Sequence, residues 1–217
     1  MPSARPLGRG PGSTCQDFAP LTPLLTFHQL GFAHASLSVF SGLSGQIAPG
    51  VTLVSGDEGA GKTTLLRVLA GEWAPSAGSL VWRVPQPSVF WADPRSSAWD
   101  SLTLEACLAV LAAGHPAWDS ALAADLQDAL ELAPHAGKEM FRLSTGSRRK
   151  VLLTAAFASG ATLTLLDMPF AALDAPSRGV VRELLAEAAQ HAHRAWVVAD
   201  YEAPAGVPLS GRLSLPV

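Results

Sequence analysis

The run Gly56-Asp57-Glu58-Gly59-Ala60-Gly61-Lys62-Thr63 sets glycines, a lysine and a hydroxyl residue in the spacing G-x-x-x-x-G-K-[ST]. The chemistry open to such a run is phosphate binding. Its glycines let backbone N–H groups turn inward around phosphate oxygens, Lys62 offers a point charge to the β- and γ-phosphates, and the Thr63 hydroxyl suits Mg²⁺. Thr64 completes the set of expected nucleotide contacts at the start of a helix.

Two elements have to position this loop. Residues 51–55 form a short apolar run that reads as a strand, and residues 63–70 carry Leu65, Leu66, Val68 and Leu69 at helical spacing before Gly71. Strand, loop and helix are the context in which the pattern carries meaning. Further along, Thr103 caps a helix that stops at Gly114, and Ser120 opens another that stops before Pro134. Residues 162–166 read as a buried strand, Pro176 starts a helix running to about His193, and residues 196–199 form the next strand, parallel to the first. An α/β sheet with a helical insertion is implied.

Leu143-Ser144-Thr145-Gly146-Ser147 precedes a further helix, and Leu165-Leu166-Asp167-Met168-Pro169-Phe170-Ala171-Ala172-Leu173-Asp174 follows about twenty residues later. With these motifs in this order the chain resembles the ATP-binding cassette (ABC) ATPases, whose signature is LSGGQ, whose Walker B segment is LLLDEP and whose D-loop is SALD. It looks most like the ATPase subunit of cytochrome c maturation (heme export) transporters, which similarly carry a varied signature and a Pro-Phe-x-Ala-Leu-Asp turn. The resemblance runs from about residue 24 to residue 213. It implies a P-loop NTPase fold of ABC ATPase type: a RecA-like sheet core, an N-terminal antiparallel β part and a helical subdomain at about 94–141, within a domain spanning 21–217. It also implies ATP and Mg²⁺ as ligands, with Asp167 and Thr63 at the metal. Ser144 and the Gly146 amide would meet a nucleotide held by a second ABC ATPase subunit, on a helix starting near Ser147. A homo- or heterodimer on an integral membrane permease follows, peripheral on the cytoplasmic face of the inner or plasma membrane.

Two positions depart from the pattern. Where the family has a glutamate to polarise the attacking water, this chain has Met168, which accepts no proton. Where it has a switch histidine, the matching residue is Asp200, whose charge has the wrong sign beside a phosphate. Either Asp200 serves as a relocated catalytic base beside Asp167, or the site binds ATP and turns it over slowly. The alternative function is a non-hydrolysing, nucleotide-responsive regulatory subunit of a heterodimeric assembly. A small-molecule kinase would leave the 143–147 and 171–174 motifs without a role. The family's Q-loop falls within a residue or so of Asp93, where no glutamine stands; Gln86 lies before the strand. Phe32 is placed either to stack on adenine or to pack in the first hairpin. Arg148, Arg149 and Lys150 form either a solvated first turn or a phosphate contact.

Composition limits the rest. The chain has 217 residues, enough for one sizeable domain, with 48% hydrophobic and 15% charged residues. So low a charge content excludes disorder of the whole and leaves apolar surface for a partner. A net charge of −3 and no block of Lys or Arg argue against nucleic acid. Two cysteines exclude a disulfide framework and a cysteine zinc site. Six histidines show no ligand spacing; His191 and His193 are expected on a helix, pointing apart. Residues 1–20 read as a loose tail without a signal-peptide core, and the apolar 151–173 stretch is broken by Gly160, Asp167 and Pro169. Trp82, Trp91, Trp99 and Trp118 are expected in the core unless some of them form a docking surface.

Overall fold

The computed structural model describes residues 22–35, 37–85 and 87–215; the 1–20 tail and Gln86 lie outside the described residues. Strands β1 (Leu25–His34) and β2 (Leu37–Ile47) form an antiparallel hairpin, followed by β3 (Gly50–Ser55) and helix α1 (Lys62–Leu69). Strand β4 (Ala77–Trp82) pairs antiparallel with the other side of β1, giving a three-stranded sheet in the order β2-β1-β4.

After β5 (Val89–Trp91) come α2 (Leu104–Ala113), α3 (Ser120–Ala129) and α4 (Thr145–Ala158). Strand β6 (Leu163–Asp167), helix α5 (Ala175–Ala188), β7 (Ala195–Ala199) and β8 (Gly211–Ser214) complete the chain. The second sheet is parallel throughout, in the order β5-β6-β7-β3-β8. Its central strands are buried on both faces, which is why their sequences are unbroken apolar runs rather than alternating ones.

Side chains of period two divide the core. Leu163, Leu165, Ala195 and Val197 face one cluster with α1 and the antiparallel sheet; Leu166, Trp196 and Val198 face another with α2, α4 and α5. Helix α4 is buried from Val151 to Ala158, so its second half has no polar face. Trp99 and Trp118 pack against the second cluster and Trp82 and Trp91 against the first, all half-buried, so none is a fully buried core residue and none is fully exposed.

Local differences from the sequence reading have local causes. Asp119, one residue before Ser120, caps α3 by accepting from the Leu122 N–H at 2.9 Å. Helix α5 ends five residues earlier than 193, because the chain turns back there and the His191 ring packs against Trp196 at 5.0 Å between centroids. His191 and His193 are therefore not on a helix. Cys107 is fully buried in α2, and burial pushes its thiol up to about 11, which makes it inert.

Gly160 fixes the exit from α4. It has φ +65° just beyond the helix cap, and a methyl built on it would overlap the backbone carbonyl of Ala117. Replacement of Gly160 by Ala is expected to lower stability by about 2–4 kcal/mol, from left-handed strain plus forced displacement of the Ala117 segment. A urea unfolding midpoint indistinguishable from that of the parent would contradict this.

Candidate functional site

The loop between β3 and α1 turns on two left-handed glycines, Gly59 at φ +81° and Gly61 at φ +92°. Gly61 occupies the cap position of α1 and no side chain caps that helix, so its first N–H groups stay available to an anion. Space also demands glycine at 61: a Cβ there would come 2.7 Å from Val39 Cγ1. The Lys62 ammonium, on a side chain only 8% exposed, donates to the carbonyls of Gly56 at 2.6 Å and Asp57 at 2.9 Å. The Tyr201 ring lies over it, 4.3 Å to the centroid. Among the described residues no carboxylate lies within ion-pair distance of it, although Asp200 is near enough to feel its charge, and the ammonium borders the open cleft. Ala60 packs into the floor of the loop.

Thr63 and Asp167 are 104 positions apart and touch. The Thr63 hydroxyl donates to Asp167 Oδ2 at 2.7 Å, because β6 ends level with the start of α1. Two hard oxygen ligands thus lie within the span of one small cation. The Arg149 guanidinium donates to the carbonyls of Asp167 at 2.8 Å and Met168 at 2.5 Å, clamping the backbone beyond β6. Burial lowers the pKa of Arg149; Asp167 and Asp200 oppose that shift and Arg95 adds to it. Met168 itself has φ +49° and donates its N–H to the Ala199 carbonyl at 2.9 Å.

A cleft of about 390 Å³ opens above this floor. Its walls include Glu58, Gly59, Gly61, Lys62, Thr63 and Thr64 from the expected loop, with Asp167, Met168, Arg95, Val39 and Tyr201. Asp200 stands at the end of β7, half-buried, its N–H donating to the Val54 carbonyl at 3.1 Å and its Oδ1 accepting from the Tyr201 N–H at 2.8 Å. Burial raises its pKa above the ordinary carboxylate value; the Tyr201 N–H, Lys62 and Arg149 pull it down and Asp167 pushes it further up.

Helix α4 begins at Thr145, two residues before the expected Ser147. The Ser144 hydroxyl caps it, accepting from the Ser147 N–H at 3.0 Å. None of residues 143–147 lines the chain's own cleft. Gly146 lies so close to the turn after β6 that a Cβ would sit 2.5 Å from the Ala172 carbonyl oxygen. The three basic residues that follow are neither solvated nor turned to the cleft. Arg148 bonds to Asp100 and to the Ser96 carbonyl, Arg149 to the β6 carbonyls, and Lys150 to Asp174 at 2.7 Å. That bond and the Ser177 contacts hold the Asp174 carboxyl well below its usual range.

Two aromatic or polar candidates lie elsewhere. Phe32 stacks on Trp73, with centroids 5.0 Å apart and planes 12° apart, and does not line the cleft, whereas Val39 does. Asp93 is buried and paired with Arg67 of α1, away from the cleft. Sequence reasoning missed Tyr201, adjacent to Asp200, and Arg95, two residues past Asp93. Among the described residues no cluster of His, Cys, Asp and Glu suits a metal, and no helix is long and apolar enough to cross a membrane.

The ABC transporter family matches residues 40–171, from within β2 to the turn after β6. The aliphatic sulfonates import ATP-binding protein SsuB of Granulibacter bethesdensis is 39% identical, over 76% of this chain and 68% of its own. The cytochrome c biogenesis ATP-binding export protein CcmA is 37% identical in Cupriavidus necator, over 75% of this chain and 77% of its own. The Hyphomonas neptunium CcmA is 31% identical over 89% and 97%. Among solved structures, a Pyrococcus furiosus protein described as an ABC transporter ATP-binding protein superposes with TM-score 0.71 at 21% identity, covering 88% of this chain and 96% of its own. Since the matched stretch holds the loop, the Ser144 cap and the Asp167 carboxylate together, the chain belongs to the ABC transporter family, as an ATP-binding subunit of ATPase type.

Proposed function

We propose that this subunit binds MgATP in the cleft above Lys62, hydrolyses it slowly, and drives an integral membrane permease as one of two paired cassettes. The observation that carries the reading is the Thr63–Asp167 bond at 2.7 Å beside a buried Lys62 ammonium that forms no ion pair among the described residues. Lys62 would meet the β- and γ-phosphates together with the first N–H groups of α1, and Thr63 and Asp167 would hold Mg²⁺. When bound, the metal ion supplies charge neutralisation at the phosphates. Arg149 keeps the backbone at Asp167 and Met168 in place.

Slow turnover follows from Met168, a thioether where a base would stand. Asp200, with a pKa raised by burial, is the candidate to replace that base. The Ser144 and Gly146 end of α4 lies outside the lining of its own cleft, which supports a role toward the nucleotide of a second subunit. Two of the relatives named above act in cytochrome c biogenesis export, and the 31% identity to one of them extends over 89% of this chain. That breadth supports a heme-exporter-like assembly at the cytoplasmic face of the membrane. The relatives give no support to a purely regulatory subunit.

The full chain, tagged and extracted from its host's membranes in mild detergent, is expected to bring down an integral membrane protein in constant proportion. Recovery solely from the soluble fraction, without such a partner, would overturn the transporter reading.

A further inference from the structure

Resting on the nucleotide reading above, we propose that Arg95 reads the terminal phosphate in cis, so that this one side chain distinguishes a nucleoside triphosphate from a diphosphate.

The arginines around the cleft are accounted for with one exception. Arg67 pairs with Asp93 and, at 3.6 Å, with Glu72; Arg148 bonds to Asp100 and Ser96; Arg149 is spent on two carbonyls. Arg95 is exposed, its guanidinium makes no ion pair or hydrogen bond among the described residues, and the residue lines the cleft that Asp167 and Met168 also line. It lies near enough to Arg149 for the two cations to disfavour each other. An unpaired cation with a second cation nearby gains when a multiply charged anion binds against it. The planar fork of a guanidinium matches phosphate oxygens in two bonds at once.

The backbone at Arg95 is also held in place. Asp93 Oδ1 accepts the Arg95 N–H at 2.8 Å, and the Asp93 carbonyl accepts the Ser96 N–H at 3.0 Å. Asp93 is only 7% exposed and its other oxygen is held by Arg67 on α1, the helix that carries Lys62 and Thr63. The Arg95 segment is thereby tied through Asp93 and Arg67 to the helix that carries Lys62 and Thr63. Its neighbour Arg149 holds the carbonyls of Asp167 and Met168, so the Arg95 charge lies toward the wall that carries those two residues, the side proposed for the γ-phosphate.

The test is equilibrium dialysis of the full chain with Mg²⁺ and labelled ATP or labelled ADP, for the parent, Arg95→Ala, Arg95→Lys and Lys62→Ala. Arg95→Ala is expected to weaken ATP about 10- to 100-fold and to leave ADP within about twofold, as loss of a charge-assisted phosphate contact requires. Arg95→Lys should recover part of the ATP affinity, and Lys62→Ala should lose both nucleotides. Unchanged ATP affinity in Arg95→Ala, or equal loss of ATP and ADP, overturns the role of Arg95 alone. If the parent retains neither nucleotide, the nucleotide reading falls and this proposal with it.

Discussion

Replacing Met168 by glutamate should raise steady-state phosphate release about 10²- to 10⁴-fold, the range a positioned general base supplies. The site is ready for it. The Met168 backbone is fixed by its own N–H on the Ala199 carbonyl and by Arg149 on its carbonyl oxygen, so an unbranched side chain there enters the cleft beside Asp167. The positive φ of 49° costs methionine and glutamate alike. If turnover in Met168→Glu equals that of the parent, the missing base is not what limits the rate. The parent's residual activity has its own arm. Asp200 has a raised pKa, so a base at that carboxylate would gain activity as pH rises through a value above the ordinary carboxylate range and then level off. Asp200→Ala removes that rise if Asp200 is the base; an unaltered pH profile eliminates it.

The second large effect is on binding. Lys62→Ala should weaken MgATP about 10²- to 10³-fold, because the ammonium is desolvated and already oriented by two carbonyls before any ligand arrives. Lys62→Arg is expected to do little better: a planar fork does not fit between the Gly56 and Asp57 carbonyls beneath the Tyr201 ring. Labelled nucleotide retained equally by the parent and Lys62→Ala would remove the foundation of the site.

What could be read from the chain was what is local in it. The phosphate loop is contiguous, its flanks follow from apolar spacing, and the unbroken apolar strands announce a parallel sheet buried on both faces. The start of α4 is local as well: Ser144 accepts the Ser147 N–H three residues on, the spacing of a helix cap, which sets the first turn at Thr145 rather than at Ser147. Other contacts depend on strand order. Thr63 meets Asp167 only because β7 alone separates the strands that lead into them. The choice for Phe32 between adenine and the first hairpin stays open in the sequence because its partner, Trp73, comes some forty residues later in the helix-to-strand connection. From the sequence the three basic residues after Ser147 read either as a solvated first turn or as a phosphate contact, but three successive helical positions point in three directions, and each meets a different acceptor. Arg95 and Tyr201 gave no signal, since their importance lies in the posture of two loops.

Helix α4 is fastened at three points: its mouth abuts the turn at Ala172, its second turn grips the carbonyls under the phosphate floor, and its far end is locked under Ala117 in the helical insertion. Fourteen residues make a rod of about 21 Å with no break along it. Such a rod tilts as one piece. A push on the outer mouth reaches the Asp167 backbone and the insertion in the same stroke, so the subunit is geared, and docking of a neighbour should be felt at its own phosphate floor without any intervening relay.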